Sequence, residues 1–269
     1  MPNIKTLPLE WLADPVSKKP PRYEGGIAHC DSGDYRYDSE HHYWAFMPKD
    51  LGTLLGEKGA AWQQLQDNGL VGYLNDPCKN LGVGNRPDFV SFANFCRFRG
   101  NILDVGCGPQ RVPTHMAVTP QSDVFFVGID PLVGEQPRDF PFVLGVGEYL
   151  PFRERVFDQV LFVTSLDHFL DPVPPLREAK RVLGHDGEVC VWIGEKDRAA
   201  PRPKTSPEWY QKLKVPHGAE DFFHYKRFTA IEFERAAENS GLQVIERSVT
   251  EVDQWRKNFF YRLTNMEKI

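Results

Sequence analysis

The sequence predicts an α/β protein: a doubly wound, mostly parallel seven-stranded sheet with an antiparallel C-terminal edge, plus a small N-terminal appendage. Three observations predict it. Beyond residue 100, short apolar runs bounded by turn residues recur as buried strands do. Amphipathic helical stretches lie between them. Two alternating runs close the chain with little room for a helix between them, so at least one of those last strands is antiparallel. Strands alternating with helices place a parallel sheet between two helical layers.

Each element has its own signal. Residues 1–45 are rich in Pro, Gly, Asp, His and Tyr with weak periodicity, and read as a loop-rich segment. Residues 46–100 read as a helical lid or cap, in the pieces "DLGTLLGEKGAAWQQLQDNG" and "RPDFVSFANFCRF" with glycine-rich breaks. The main domain spans 101–269, with strands expected at 101–105, 124–129, 141–145, 157–163 and 187–194. In "PPLREAKRVL", Leu176, Ala179, Val182 and Leu183 share one helical face. Thr229 and Glu232 form a capping box opening "TAIEFERAAENSG", and Gly241 closes that helix. The final strands are "LQVIERSV" and "NFFYRLT".

Composition excludes several classes. The chain has 269 residues, 41% hydrophobic and 26% charged, which suits a globular protein. A formal charge of −5 and a pI near 5.9 give no broad footprint for nucleic acid or anionic membrane. No basic stretch followed by an apolar run opens the chain, and "VFFVGI" and "VLFVTSL" are too short to span a bilayer, so a cytoplasmic location is expected. Cys30, Cys78, Cys96, Cys107 and Cys190 are scattered, odd in number and never paired as CxxC; reduced thiols are expected, not a disulfide frame or zinc site.

The chemistry centres on "ILDVGCGPQ" at 102–110. Asp104 ends the strand, and Gly106 and Gly108 flank Cys107. Glycine there permits unusual φ and close approach of backbone to a ligand. The next strand, "VFFVGID", ends in Asp130, about 20 residues on, where an acid accepts both hydroxyls of a ribose. Strand, glycine loop, helix, strand and acid in that order point to a nucleoside site. A pyrophosphate wants the full GxGxxG and a free helix N-terminus; here Gln110 and two prolines crowd the turn, and no Walker lysine follows. A phosphate-free nucleoside suits the loop, and an NAD-dependent oxidoreductase is disfavoured.

"ILDVGCGP", "FVGIDP", "GVGEYLPF", "FDQVLFVTSLDHFLDP" and "LREAKRVLGHDGEVCVWIG", in that order, resemble a class I S-adenosylmethionine-dependent methyltransferase of the ubiquinone-biosynthesis type, over about residues 100–265. The resemblance implies a Rossmann-like fold. It implies that Asp104, Gly106, Cys107 and Gly108 hold the methionine end of the cofactor, Asp130 and Pro131 the ribose, and Gly147 and Glu148 the adenine, with Thr164 beneath the sulfonium. S-adenosylhomocysteine is the product, and no metal takes part. Val146 stands where the family often has an acid, which leaves the adenine contact to Glu148 or to backbone groups. Gln110 replaces a common glycine and is expected to tighten the turn. The N-terminal stretch resembles a small zinc-ribbon whose ligand positions read Asp14, Ser17, His29 and Ser32, a set without thiolates and expected to be metal-free.

Methyl transfer needs mainly positioning, plus a base when the acceptor is a hydroxyl. Asp167 and His168 follow the fourth main strand and point to that role; alternatively His168 caps the turn or shapes the pocket. Arg86 pairs with the cofactor carboxylate from the lid, or is a solvated arginine. His217, His224 and Tyr225 lie in the 195–228 insertion, which in this fold roofs the acceptor, or are partly buried polar residues. "HHYWAF" at 41–46 is an aromatic acceptor wall or core. Cys107 reads as a space-filler. The expected activity is methyl transfer to a small molecule, O-methylation in cell-surface sugar or natural-product biosynthesis. The alternatives are N-methylation of a small amine and a catalytically inactive nucleoside-binding scaffold. Neither nucleic acid nor membrane is an expected partner, and the chain is a monomer or homodimer.

Overall fold

Residues 22–45, expected as loop, form a meander of short strands: β1 (Arg22–Glu24), β2 (Ile27–Cys30), β3 (Gly33–Asp38) and β4 (Tyr43–Ala45). The computed structural model describes residues 6–76, 86–119, 124–135, 137–197, 199–200 and 206–266; Cys78 and residues 198 and 201–205 of the expected insertion lie outside them. Alternation reveals the meander in retrospect. Ala28, Tyr35 and Trp44 face inward while their neighbours are more exposed. Each strand is too short for the pattern to stand out in sequence.

Helices α1 (Leu51–Leu55), α2 (Gly59–Asn75) and α3 (Pro87–Cys96) follow, the last opened by Pro87 at its first position. The main domain then begins with β5 (Gly100–Val105). The helix expected after the glycine loop is a single turn, α4 (Thr114–Ala117), because Pro109 and Pro113 supply no N–H to extend it. Next come β6 (Val124–Asp130), β7 (Phe142–Leu144), β8 (Phe157–Val163), α5 (Val173–Val182) and β9 (Leu183–Lys196). A short helix, α6 (Glu208–Gln211), precedes α7 (Ala230–Asn239), which carries the expected capping box and has Gly241 at φ +75° just beyond it. Strands β10 (Leu242–Asp253) and β11 (Arg256–Asn265) close the fold.

All eleven strands join one sheet, ordered β1-β2-β3-β4-β7-β6-β5-β8-β9-β11-β10. The seven expected strands form its β7-to-β10 part, with β11 antiparallel to both neighbours. The meander extends the other edge through a parallel pairing of β4 with β7, Trp44 opposite Val143 and Ala45 opposite Leu144. Leu12 bridges to Phe152, and Ala13 N–H donates to the Pro151 carbonyl at 3.0 Å. The N-terminal segment is therefore built into the main domain.

At the positions likened to zinc ligands, the Asp14 carboxylate accepts from the N–H groups of Val16 (2.8 Å), Ser17 (3.2 Å) and Ser32 (2.8 Å) and from the Ser32 hydroxyl (2.6 Å). His29 turns to Asp34 instead. Burial opposes ionisation of Asp14, but these hydrogen bonds outweigh it and hold the pKa down at about 2.

Both sheet faces are covered. On one, Leu176, Ala179 and Val182 of α5 and Phe233, Ala236 and Ala237 of α7 pack on Leu103, Val160 and Val191. On the other, Phe89 and Phe92 of α3 and Met116 of α4 pack on Ile102, Phe126, Trp192 and Phe260. Phe92 is fully buried, a contribution of roughly 1.5–3 kcal/mol relative to exposure. Trp44 and Phe46 belong to the core, so "HHYWAF" is not an acceptor wall. Strand order reverses between β5 and β8, which opens a crevice beyond their carboxyl ends.

Candidate active site

A cleft of about 310 Å³ occupies that crevice, floored by the ends of β5, β6 and β8 and roofed by α2 and the 222–224 segment. Asn68 of α2 ties the roof together: its side chain is buried and donates to the carbonyls of Lys214 (2.9 Å) and Phe222 (2.7 Å).

The glycine loop adopts the conformations its residues allow. Gly106 has φ +78° and Gly108 φ +74°. A Cβ on Gly106 would sit 2.5 Å from the Cβ of Ser165, whose hydroxyl donates to the Val105 carbonyl at 2.6 Å. Asp130 reaches back to this loop. One carboxylate oxygen accepts from Gly108 N–H (2.7 Å) and the other from Leu132 N–H (2.8 Å). Burial raises its pKa to about 6 against these two bonds. Each oxygen keeps a second lone pair for a further donor. Gln110 brackets the loop by donating to the Cys107 carbonyl at 2.9 Å. Burial pushes the Cys107 thiol pKa well up, as befits a packing residue.

Several polar groups in the cleft stand without partners. Asp104 is fully buried; one oxygen meets His115 Nε2 at 2.9 Å and the other, Oδ1, has no hydrogen bond. Glu148 Oε1 is also buried and unpaired, and burial raises that residue's pKa to about 7. Thr164 directly follows β8 at φ +55°, a strained conformation for a β-branched residue, in the floor of the cleft. Orphaned acceptors beside a glycine cradle are what a nucleoside bearing an amine and a diol requires; the residues present fit such a ligand.

Asp104, Gly106, Cys107, Gly108, Asp130, Pro131, Gly147, Glu148, Thr164, Arg86, His168 and His224 all line this one cleft. Arg86 already forms a two-bond pair with Asp88 (3.2 and 2.5 Å) and lies over the Phe89 ring at 4.7 Å. Val146 is buried beside Trp62 and Leu65 and anchors the lid. His217 is exposed and does not line the cleft, and Tyr225 packs with the Val146 cluster behind it, its ring 5.0 Å from Lys58 Nζ. Sequence reasoning missed His115, the buried Arg138 that donates to the Gly108 (3.0 Å) and Leu132 (2.9 Å) carbonyls, and Tyr73 of the roof. None of the three sits in a motif; only the fold places them here.

At the far end, the His168 and His224 rings lie 4.5 Å apart between centroids, tilted by 32°. His168 Nδ1 donates to the Phe223 carbonyl at 2.8 Å, which leaves Nε2 with its lone pair, 4.0 Å from Asp167 Oδ1. Burial, with His224 alongside, lowers the His168 pKa. His224 Nδ1 lies 2.7 Å from Asp221, and its Nε2 lies 3.4 Å from the second Asp167 oxygen. Burial works against Asp221, yet the His224 and Phe223 hydrogen bonds and the Arg227 charge hold its carboxyl well below the usual range. Asp167 does not line the cleft; it sits behind the two histidines.

Residues 103–191 match the family model described as a methyltransferase domain. That stretch is about a third of the chain and lies in its central sheet, from β5 to β9. An uncharacterized protein of Mycobacterium tuberculosis is similar to this chain, 28% identical over 152 residues, which are 55% of this chain and 48% of the relative. The match thus spans about half the length of that curated relative. Among solved structures, 1,6-didemethyltoxoflavin-N1-methyltransferase of Burkholderia thailandensis, with S-adenosylhomocysteine bound, has a TM-score of 0.51 at 14% identity, covering 91% of this chain and 99% of that one. The cyclase SpnF has a TM-score of 0.53 at 15% identity, covering 77% of this chain and 97% of that one. At such identities these likenesses show the Rossmann-like fold alone. No helix among the described residues is long and apolar enough to cross a membrane.

Proposed function

We propose that this chain is a class I methyltransferase that transfers a methyl group from S-adenosylmethionine to a hydroxyl of a small molecule, of the kind found in cell-surface sugars or natural products. One observation carries the reading: the glycine loop and Asp130 lie at one end of a single cleft, and two imidazoles with an acid behind them lie at the other. When bound, S-adenosylmethionine supplies an electrophilic methyl. The Asp104 Oδ1 and His115 pair receives its ammonium, while Arg86 keeps donors for its carboxylate. Asp130 takes the ribose hydroxyls, Pro131 flanks them, and Gly147 and Glu148 face the adenine. Gly106, Cys107 and Gly108 admit the ligand against backbone, and Thr164 lies beneath the reacting centre.

An amine needs only a placed lone pair, whereas an aliphatic hydroxyl must also lose a proton. The Asp167–His168–His224 group is suited to that second task, which favours oxygen over nitrogen as the methylated atom. The roof of α2 and residues 222–224 orients the acceptor and excludes water.

Thermal unfolding with S-adenosylhomocysteine tests the reading. At about 100 times its dissociation constant a ligand stabilises the fold by roughly 2.7 kcal/mol, so Tm should rise clearly with S-adenosylhomocysteine and stay unchanged with NAD. The opposite pattern would sink it.

A further inference from the structure

We propose that Asp167, His168 and His224 bind one divalent transition-metal ion at the acceptor end of the cleft. The ligand atoms of these three side chains lie within 4.8 Å of one another, the sole such trio of His, Cys, Asp or Glu among the described residues. His224 Nε2 lies 3.4 Å from one Asp167 oxygen, and His168 Nε2 lies 4.0 Å from the other. An ion about 2.0–2.2 Å from each of three donors spaces them about 3–4 Å apart, so slight side-chain rotation closes the set.

A second, independent observation lies behind the ligands. Metal-binding histidines hold one ring nitrogen by hydrogen-bonding the other to a carboxylate or a backbone carbonyl. Both partners are present: the Phe223 carbonyl for His168 and the Asp221 carboxylate for His224, at 2.8 and 2.7 Å. Asp221 is itself fixed by Arg227 at 2.9 Å and by the N–H groups of Phe223 and His224, each at 2.9 Å. Both Nε2 atoms are thereby left on the side of Asp167, whose Oδ1 is buried without a hydrogen bond. With neutral imidazoles, Asp167, Asp221 and Arg227 sum to one negative charge, which favours a cation over an anion at this site. Two imidazoles and one carboxylate suit Zn²⁺, Mn²⁺, Fe²⁺ or Co²⁺; Mg²⁺ and Ca²⁺ prefer all-oxygen sets. His168 lines the cleft, so open coordination positions would face the acceptor.

This inference rests on the reading of that end as the acceptor end. It replaces the metal-free expectation, and makes His168 a ligand rather than a free base. A hydroxyl oxygen bound to the ion gives up its proton to solvent more readily, because the cation stabilises the alkoxide. That oxygen then takes the methyl group; the carbon–sulfur bond breaks with its electron pair left on sulfur, giving the methyl ether and S-adenosylhomocysteine.

The full chain, stripped by dialysis against a chelator, is titrated with Zn²⁺ and with Mn²⁺ by calorimetry, and with Co²⁺ by visible absorption. We expect one equivalent bound, and at least a tenfold loss of affinity in Asp167→Asn and in His224→Gln, with unchanged S-adenosylhomocysteine affinity showing that both variants are folded. Asp221→Asn should weaken binding by about 10–100-fold. A protonated His224 bridging Asp221 and Asp167 would produce the same contacts with no ion, so absence of binding by all three ions at millimolar concentration overturns the proposal. So does binding unaltered in both ligand variants. The Co²⁺ spectrum decides without any variant: ligand-field bands shifted from those of aqueous Co²⁺ support the site, and an unshifted spectrum overturns it. Should wild type bind metal but not S-adenosylhomocysteine, the methyltransferase reading falls and the metal site stands.

Discussion

At one end of the cleft the geometry is made by backbone: two glycines at positive φ, the Gly108 and Leu132 N–H groups on Asp130, and the turn at Thr164. At the other it is made by side chains from two distant segments, 167–168 and 221–227, with His168 bonded to a carbonyl 55 residues away. The first end is rigid because each part is the terminus of a buried strand. The second depends on how a long insertion folds back and is locked by Asn68. A scaffold of this kind can keep its nucleoside end while its acceptor end is rebuilt, because the two share no side chain.

The largest effect should come from the side-chain end. With a hydroxyl acceptor, His168→Ala should lower kcat by about 10²–10⁴-fold while leaving S-adenosylhomocysteine affinity intact. A loss confined to acceptor KM would mean that His168 only binds, as expected were the acceptor an amine. At the backbone end, Asp130→Ala should weaken S-adenosylhomocysteine binding by about 10–100-fold in calorimetry. It should also lower Tm, because the Gly108 and Leu132 N–H groups lose their acceptor. Unchanged affinity would place the ribose elsewhere. A smaller effect follows from pH. The ionised Asp130 accepts from hydroxyls and the protonated form accepts less well, so affinity should be full above about pH 6 and fall below it. The slope is at most about tenfold per pH unit for a single proton. A flat profile through that range in the Glu148→Gln variant, which removes the other buried acid, would contradict the assignment. The smallest effect is a contrast between glycines. Gly106→Ala meets Ser165 and a positive φ and should destabilise by at least about 1–2 kcal/mol. Gly194→Ala meets nothing within 4 Å and should stay within about 0.5 kcal/mol in chemical denaturation.

The same contrast explains what could be read from the chain. "ILDVGCGP" and "FVGIDP" announce themselves because a strand end, a glycine and an acid are all local features. Hence Asp104, Gly106, Gly108 and Asp130 could be grouped from the sequence, and all four line one cleft. His168 was singled out because it follows a strand. Asp221 was not, because its importance lies in a bond to His224 and in what His224 then faces, neither of which leaves a periodic trace. Arg138 and His115 escaped for the same reason: a buried charged residue looks like any surface residue until its neighbours are known. The meander at 22–45 was read as loop since strands of three to six residues carry too few alternations to register. His217 and Tyr225 show the converse error, where membership of the right insertion did not secure a place in the cleft.

The pairing of β4 with β7 has a consequence for how the chain reaches its native state. Trp44 and Val143 are separated by about a hundred residues, a long loop to close before that edge gains any hydrogen bond. During synthesis at about 5–20 residues per second, β4 waits roughly 5–20 seconds for its partner to emerge. Through that interval the meander has a bare edge next to Trp44 and Phe46, both buried only in the finished sheet. The meander is thus made about a hundred residues before the strand that secures it, and it is a stretch where a chaperone would have much to hold.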